Sequence, residues 1–229
     1  MIIAELHKKL QSHLEKQNKN WKSLIYAKEK GFYQGFEKIQ IDGWRPSEKR
    51  LDDYDIQKYL DKNKAALDIG SNCGFFTLLL SNFLKTIDGV EINPYLIDIS
   101  NDVKEFLKVK NTFFYNKSFE EFQTVQKYDV IFSLANDSTI DGNTKFDFIE
   151  YIQKIIYLLN NNGILIFECQ AADMMPPSKF NPKYEHLKKY FSILEEKLVF
   201  SEYPINVPER KFLILKLKES NIHISGNKK

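Results

Sequence analysis

From residue 65 onward, apolar runs of strand length alternate with stretches of helical period, a pattern that predicts a parallel sheet covered by helices on both faces. Residues 65–69 form the first predicted strand, with a helix over 75–84 behind it. Residues 87–92 form the second, and Pro94 marks the start of a helix running to about 109. The third strand is 112–115, followed by a short helix beginning near Ser118. The fourth is 128–134, and residues 146–159 are a strongly periodic helix. Gly163 marks the turn into a fifth strand over 164–170. After a helix over 184–196, residues 198–204 and 210–217 read as two last strands with a short connection, hence antiparallel to each other.

Seven strands closed by a hairpin give the expected architecture: an α/β, Rossmann-like seven-stranded sheet, mostly parallel with one antiparallel strand, flanked by helices. Ahead of it, residues 1–40 read mostly as amphipathic helix, with Ile3, Leu6, Leu10 and Leu14 on one face and Trp21, Leu24 and Ile25 further along. That stripe is expected to pack against the domain or against a second copy of the chain, giving a homodimer through the N-terminal helices. The division is then an N-terminal helical extension (1–44), the main domain (45–218) and a flexible polar tail (219–229).

Charge narrows the picture. Against 31 acidic side chains stand 33 basic ones, so there is no broad positive field of the kind that non-specific nucleic-acid binding requires. The apolar run at the start is too short for a signal peptide, and no stretch approaches the roughly 20 apolar residues needed to span a bilayer; the expectation is a soluble, cytoplasmic chain. Cys73 and Cys169 fall on predicted strands separated by another strand, about 10 Å apart and too far for a disulfide. The histidines lack ligand spacing, and no metal is expected. Nearly all positive charge is lysine: Arg45, Arg50 and Arg210 are the only arginines. Arg45 and Arg50 therefore suggest a place where a planar fork matters.

In an open parallel sheet, ligands bind beyond the carboxyl ends of the strands where the connections switch direction. The stretch LDIGSNCGFF lies there, at the end of the first strand. Gly70 can adopt a backbone conformation closed to other residues, and Gly74 lets the next helix approach closely. Asp68 sits at the strand end, and Glu91, 23 residues later at the end of the second strand, is placed to take both ribose hydroxyls of an adenosine group. An acid at Asp68 suits the ammonium and sulfonium of S-adenosylmethionine better than the pyrophosphate of a dinucleotide. The third glycine of a dinucleotide fingerprint is also missing.

LDIGSNCGFF, GVEINP, NKSFEEF and YDVIFSL resemble, in that order, the motifs of class I S-adenosylmethionine-dependent methyltransferases, over residues 45–217. The resemblance implies that Gly70, Ser71, Asn72, Cys73 and Gly74 hold the methionine part of the cofactor and Glu91 its ribose. It implies that Ile92 and Phe119 sandwich the adenine, with Ser118 near the amino group and Phe75, Phe76 and Leu134 in the same site. For Phe119 the alternative is ordinary core packing. The family commonly has glycine where this chain has Asn72, which leaves that amide contact open. Upstream, GWRPSEKRLDDYDI is similar to a subgroup found in gene clusters for bacterial surface polysaccharides, and a related pattern occurs in the tRNA wobble-uridine carboxymethyl-transfer family. Arg45 or Arg50 then clamps the cofactor's carboxylate, or Arg50 pairs with Asp53 on a surface helix.

Methyl transfer from a sulfonium is an in-line displacement, so the site needs alignment and, for a hydroxyl acceptor, removal of one proton. The segment 134–141 follows the fourth strand, where class I enzymes present acceptor-contacting groups; it is not the N-P-P-Y or D-P-P-Y signature of amino-group methylation. Asp137 is the candidate base or acceptor clamp and Asn136 the candidate orienting group, the alternative being a turn or helix cap. Glu168, at the end of the fifth strand, is a second acid for binding a substrate hydroxyl or acting as base. The loop 171–186, stiffened by Pro176 and Pro177, is a candidate acceptor lid. The expected acceptor is a small polar molecule, a sugar or sugar substituent such as a phosphoramidate in capsule or lipopolysaccharide biosynthesis. The alternatives are tRNA, reached through Lys8, Lys9, Lys188 and Lys189, and a cofactor-binding partner subunit without an acceptor site.

Overall fold

The computed structural model describes residues 1–29, 31–137, 144–200 and 209–219. The chain opens with α1 (Ile3–Asn20), then β1 (Gln34–Gly35), β2 (Arg45–Pro46) and α2 (Ser47–Tyr54). The main domain continues through β3 (Ala65–Ile69), α3 (Phe75–Leu80), β4 (Thr86–Glu91), α4 (Pro94–Phe106), β5 (Thr112–Asn116), β6 (Tyr128–Leu134) and α5 (Phe148–Leu158). It ends with β7 (Leu159–Glu168), α6 (Asn181–Tyr190), β8 (Phe191–Phe200) and β9 (Glu209–Leu217).

The seven-stranded sheet has the order β5-β4-β3-β6-β7-β9-β8. Its first five strands pair in parallel, and β9 runs antiparallel to both β7 and β8. The chain leaves β3 toward one edge through β4 and β5, then returns to β6 on β3's other side. The loop after β3 is therefore the switch point, as the sequence predicts.

Local chemistry sets the helix starts. Asn93 accepts the Tyr95 N–H at 3.1 Å ahead of Pro94 to begin α4. Asp147 and Glu150 form a reciprocal capping box at the start of α5. Period-two strands then bury one face against each helical layer. Leu67, Ile69, Ile131 and Phe167 pack with Tyr151 and Ile155 of α5 and Leu187 of α6. Ala66, Phe132 and Ile166 pack with Leu51 and Tyr54 of α2 and Phe76 of α3. Among the described residues, no helix is long and apolar enough to cross a membrane.

Three expected helices are corrected. The N-terminal helix ends at Asn20 rather than near 40, since Trp21 turns extended and Ala27 and Gly31 take positive φ of 57° and 87°. Its stripe of Leu6, Leu10 and Leu14 is consumed within the chain, against Leu96, Ile99 and Val103 of α4; burying each leucine contributes about 1.5–3 kcal/mol. The helix expected over 184–196 stops at Tyr190, because residues from Phe191 onward pair with β9. Near Ser118 there is only a turn, in which the Ser118 hydroxyl accepts the Glu121 N–H at 3.3 Å. The boundary drawn between residues 44 and 45 passes through a small parallel sheet pairing Gln34 with Arg45. The expected strand end 201–204 and the tail 220–229 lie outside the described residues.

Candidate cofactor and acceptor site

The loop at the end of β3 is shaped by three left-handed residues: Gly70 (φ 67°), Asn72 (φ 55°) and Gly74 (φ 70°). The Gly70 and Ser71 N–H groups both donate to the Val90 carbonyl, at 2.8 and 3.0 Å, lashing the loop to the neighbouring strand. A Cβ on Gly70 would lie 2.5 Å from the Asn136 amide oxygen, and one on Gly74 would lie 2.6 Å from the Phe114 ring. Asn72, between them, carries one of the side chains that best tolerate a left-handed backbone. Its own Oδ1 accepts the Cys73 N–H at 2.9 Å. Gln34, which the sequence reading missed, clamps the loop from outside: its amide donates to the Ser71 carbonyl at 3.2 Å and accepts the Phe75 N–H at 3.0 Å.

The two strand-end acids differ. Glu91 accepts the Asn72 N–H at 3.1 Å and the Asn93 N–H at 2.9 Å, and lines a cleft with Asn72, Cys73, Ile92 and Leu96. Asp68 lies under the loop rather than open to the cleft, and takes a 2.6 Å hydrogen bond from the Thr77 hydroxyl. Burial pushes its carboxyl up to about 6.

At the tip of β6, the Asn136 amide donates to the Leu134 carbonyl at 3.1 Å and to the Ile69 carbonyl, bridging the ends of β3 and β6. Asp137 is buried, and its Oδ2 lies 2.5 Å from the Lys183 ammonium, which reaches Asp173 at 2.8 Å. Asp137 Oδ1 has no hydrogen-bond partner among the described residues. Burial raises the Asp137 carboxyl against the opposing pull of Lys183. The rest of the expected acceptor segment, 138–143, lies outside the described residues.

Glu168 is not the free acid expected from sequence. It is fully buried and takes both arms of Arg45 at 2.9 and 3.0 Å, Arg210 at 3.0 Å, and the Tyr54 hydroxyl. Burial alone would raise its carboxyl, but the Arg45 and Arg210 guanidiniums outweigh that and hold it at about 2, so it is no general base near neutrality. Arg50 pairs with no aspartate on its helix: it donates to Tyr54 at 3.1 and 3.2 Å and lies 4.7 Å over the Phe76 ring, while Lys49 takes Asp53. All three arginines thus converge on Glu168 and Tyr54, and Arg45 also reaches the Tyr33 hydroxyl at 3.4 Å.

Phe119 follows its packing alternative, fully buried 5.0 Å from the Tyr151 ring and 6.4 Å from Phe146. Phe75, Phe76 and Leu134 are likewise core residues that shape the loop from below. Ile92 remains at the cleft surface, facing a wall of Trp21, Leu24, Tyr26 and Tyr33. Only the crowding of aromatics over 21–33 signalled that wall in the sequence, whereas Lys183 and Asp173 carried no local signal.

A glycine-shaped loop at the switch point of a parallel sheet, with an acid at the tip of the adjoining strand, defines a Rossmann-like domain built for a nucleoside cofactor. Residues 60–203 match the family described as Methyltransferase domain, and the chain belongs to that family. Over 142 residues it is 31% identical to an uncharacterized RNA methyltransferase of Mycoplasma mobile, a match covering 59% of this chain and 36% of that relative. The chain thus spans well under half of that relative. N-methyltransferase NodS from Bradyrhizobium japonicum WM9, solved with S-adenosylhomocysteine, superposes with a TM-score of 0.63 at 12% identity over 93% of this chain and 99% of that one. The protein SMU.1697c of Streptococcus mutans, also solved with that product, gives 0.54 at 20% identity over 76% of this chain and 98% of that one. The tRNA m1G37 methyltransferase of M. jannaschii gives 0.53 at 17% identity over 74% and 50%. Family membership makes residues 60–203 a methyltransferase domain, and its fold is the one seen in these solved methyltransferases.

Proposed function

We propose that the chain transfers a methyl group from S-adenosylmethionine to a hydroxyl of a small polar acceptor, a sugar or sugar substituent of surface-polysaccharide biosynthesis, in the cytoplasm. The observation that carries this reading is Asp137: one carboxylate oxygen is anchored by Lys183 and the other has no partner among the described residues. A base held in that way presents a single oxygen to an acceptor's O–H.

The residues present fit the cofactor. Glu91 lines the cleft with acceptor oxygens for ribose hydroxyls, and the glycine-shaped turn lets a ligand approach its backbone closely. Arg45 commits both arms to Glu168, so of the two candidate forks Arg50, buried and bonded to the Tyr54 hydroxyl, is the one that suits the cofactor's carboxylate. Asp68 adds negative potential beneath the loop for the ammonium. When bound, S-adenosylmethionine supplies an electrophilic methyl group on a sulfonium. Asn136 spaces the tips of β3 and β6, and Asp137 receives the acceptor's proton.

A second reading, RNA as acceptor, is favoured by the RNA methyltransferase of Mycoplasma mobile; the balance of 33 basic and 31 acidic side chains weighs against it. Methyl-labelled cofactor offered with a nucleotide-sugar pool or with total tRNA separates the two. Label in the sugar pool, lost in Asp137→Asn with cofactor affinity intact, is the expected outcome. Label confined to tRNA overturns the small-acceptor reading, and label in neither fraction favours a partner subunit without its own acceptor site.

A further inference from the structure

The cleft beside Glu91 has two walls of different origin. One is the methyltransferase domain itself: Asn72, Cys73, Glu91, Ile92 and Leu96. The other is Gln17, Trp21, Leu24, Tyr26, Gly31 and Tyr33, all outside the matched residues 60–203. We propose that Gln17, Trp21, Leu24, Tyr26, Gly31 and Tyr33 form the adenosine-side wall of the cofactor pocket, with Trp21 and Tyr26 lying against the purine opposite Ile92. The proposal rests on the cofactor reading above and adds a part of the site that the domain alone does not contain.

Three features of the segment support it. Both ends are pinned: α1 is anchored on α4 by Leu6, Leu10 and Leu14, and Gln34 is bonded to the loop after β3. Between those anchors Ala27 and Phe32 pack into the core, while Trp21 and Tyr26 stay half-buried and Leu24 is 38% exposed at the cleft. A purine presents two flat apolar faces, and aromatic side chains that stack on bases lose affinity by about 5- to 100-fold when truncated to alanine. The wall also continues toward the other end of the cofactor: Tyr26 lies 5.7 Å from Tyr33, whose hydroxyl meets Arg45. One segment therefore spans the pocket from the Ile92 side to the arginine cluster.

The chain has two tryptophans, so Trp44→Phe leaves Trp21 as the sole indole reporter in the full-length protein. The probe is S-adenosylhomocysteine. Saturation is expected to change the emission of Trp21, while calorimetry on Trp21→Ala and Tyr26→Ala shows affinity lower by about 5- to 100-fold and Trp21→Phe stays within about threefold of wild type. Unchanged Trp21 emission at saturation, or wild-type affinity in both alanine variants, overturns the wall while leaving the cofactor assignment standing. Failure of the unmodified chain to bind S-adenosylhomocysteine removes the cofactor reading and the wall together. The emission measurement uses a chain with an intact wall, so it decides the matter even if the alanine variants fold poorly.

Discussion

At the scale of single residues, the cofactor loop is decided by backbone conformations that few side chains accept. Asn72 sits at φ 55°, where an ordinary side chain costs about 1–2 kcal/mol and asparagine or glycine much less. Asn72→Gly is therefore expected to melt close to wild type, and Asn72→Ala to melt about 2–4 °C lower, the shift that 1 kcal/mol produces in a chain of this size. A calorimetric melt that places the alanine variant with the glycine variant would show that the loop relaxes out of its left-handed turn. Asp68 gives a pH dependence. Burial lifts its carboxyl to about 6 in the folded chain, above the unfolded value. Ionising it therefore costs the ligand-free protein stability as pH rises from about 4 to 6. A bound ammonium favours the ionised form, so affinity for S-adenosylhomocysteine should climb as pH passes through about 6, by at least about threefold, with Asp68→Asn flattening the rise. Equal affinities at pH 5 and pH 7.5 in wild type would remove Asp68 from cofactor recognition.

At the scale of elements, what could be read from the sequence is what local pattern decides. The strands from β3 to β7 and the helices α4 and α5 announce themselves by period, and α4 also by Pro94, and the switch-point loop follows from their order. The element read wrongly is instructive. Leu187, Phe191, Leu194 and Leu198 recur at helical spacing, yet from Phe191 onward the chain is β8, paired with β9 as far as Phe200; a ladder with a distant partner outweighs local period. Residues 31–46 were illegible for another reason, since their contacts follow no period: Gln34 bonds the loop after β3 while Phe36, Ile39 and Ile41 join the cluster of α1 and α4. The arginine cluster joins positions 45, 50, 54, 168 and 210, which no window of sequence brings together. Gln34 belongs to the same class. α3 begins at Gly74 without a side-chain cap of its own, and Gln34 supplies that acceptor from a remote segment. Gln34→Ala should cost about 0.5–2 kcal/mol in urea unfolding and weaken S-adenosylhomocysteine binding by loosening the loop. A loss of stability with unchanged affinity would confine Gln34 to holding the helix.

At the scale of the whole molecule, the Glu168 cluster is the bolt between parts that are far apart in the chain. Arg45 and Tyr54 come from the N-terminal side, Glu168 from the middle of the sheet and Arg210 from the closing hairpin. Burial pushes the Tyr54 phenol up to about 12, so it stays protonated and donates to Glu168 across the physiological range. The folded Glu168 titrates near 2, below its unfolded value, because guanidiniums hold its charge despite burial. A depressed acid contributes stability that is complete above the unfolded value of about 4.5 and disappears as pH falls from there toward 2. Removing this one carboxylate takes a counter-charge from the buried Arg45 and Arg210 guanidiniums, a change of the kind that costs about 3–5 kcal/mol. Removing Arg45 leaves Glu168 still paired with Arg210, so Arg45→Met should be the milder change. Urea unfolding at pH 7 is expected to rank stability as wild type, then Arg45→Met, then Glu168→Gln. Between pH 4.5 and 2, the Glu168→Gln protein should lose less stability than wild type, because the titrating group is gone. Parallel pH profiles for the two proteins would mean that acid unfolds the molecule through other carboxylates and that the cluster does not bind its ends together.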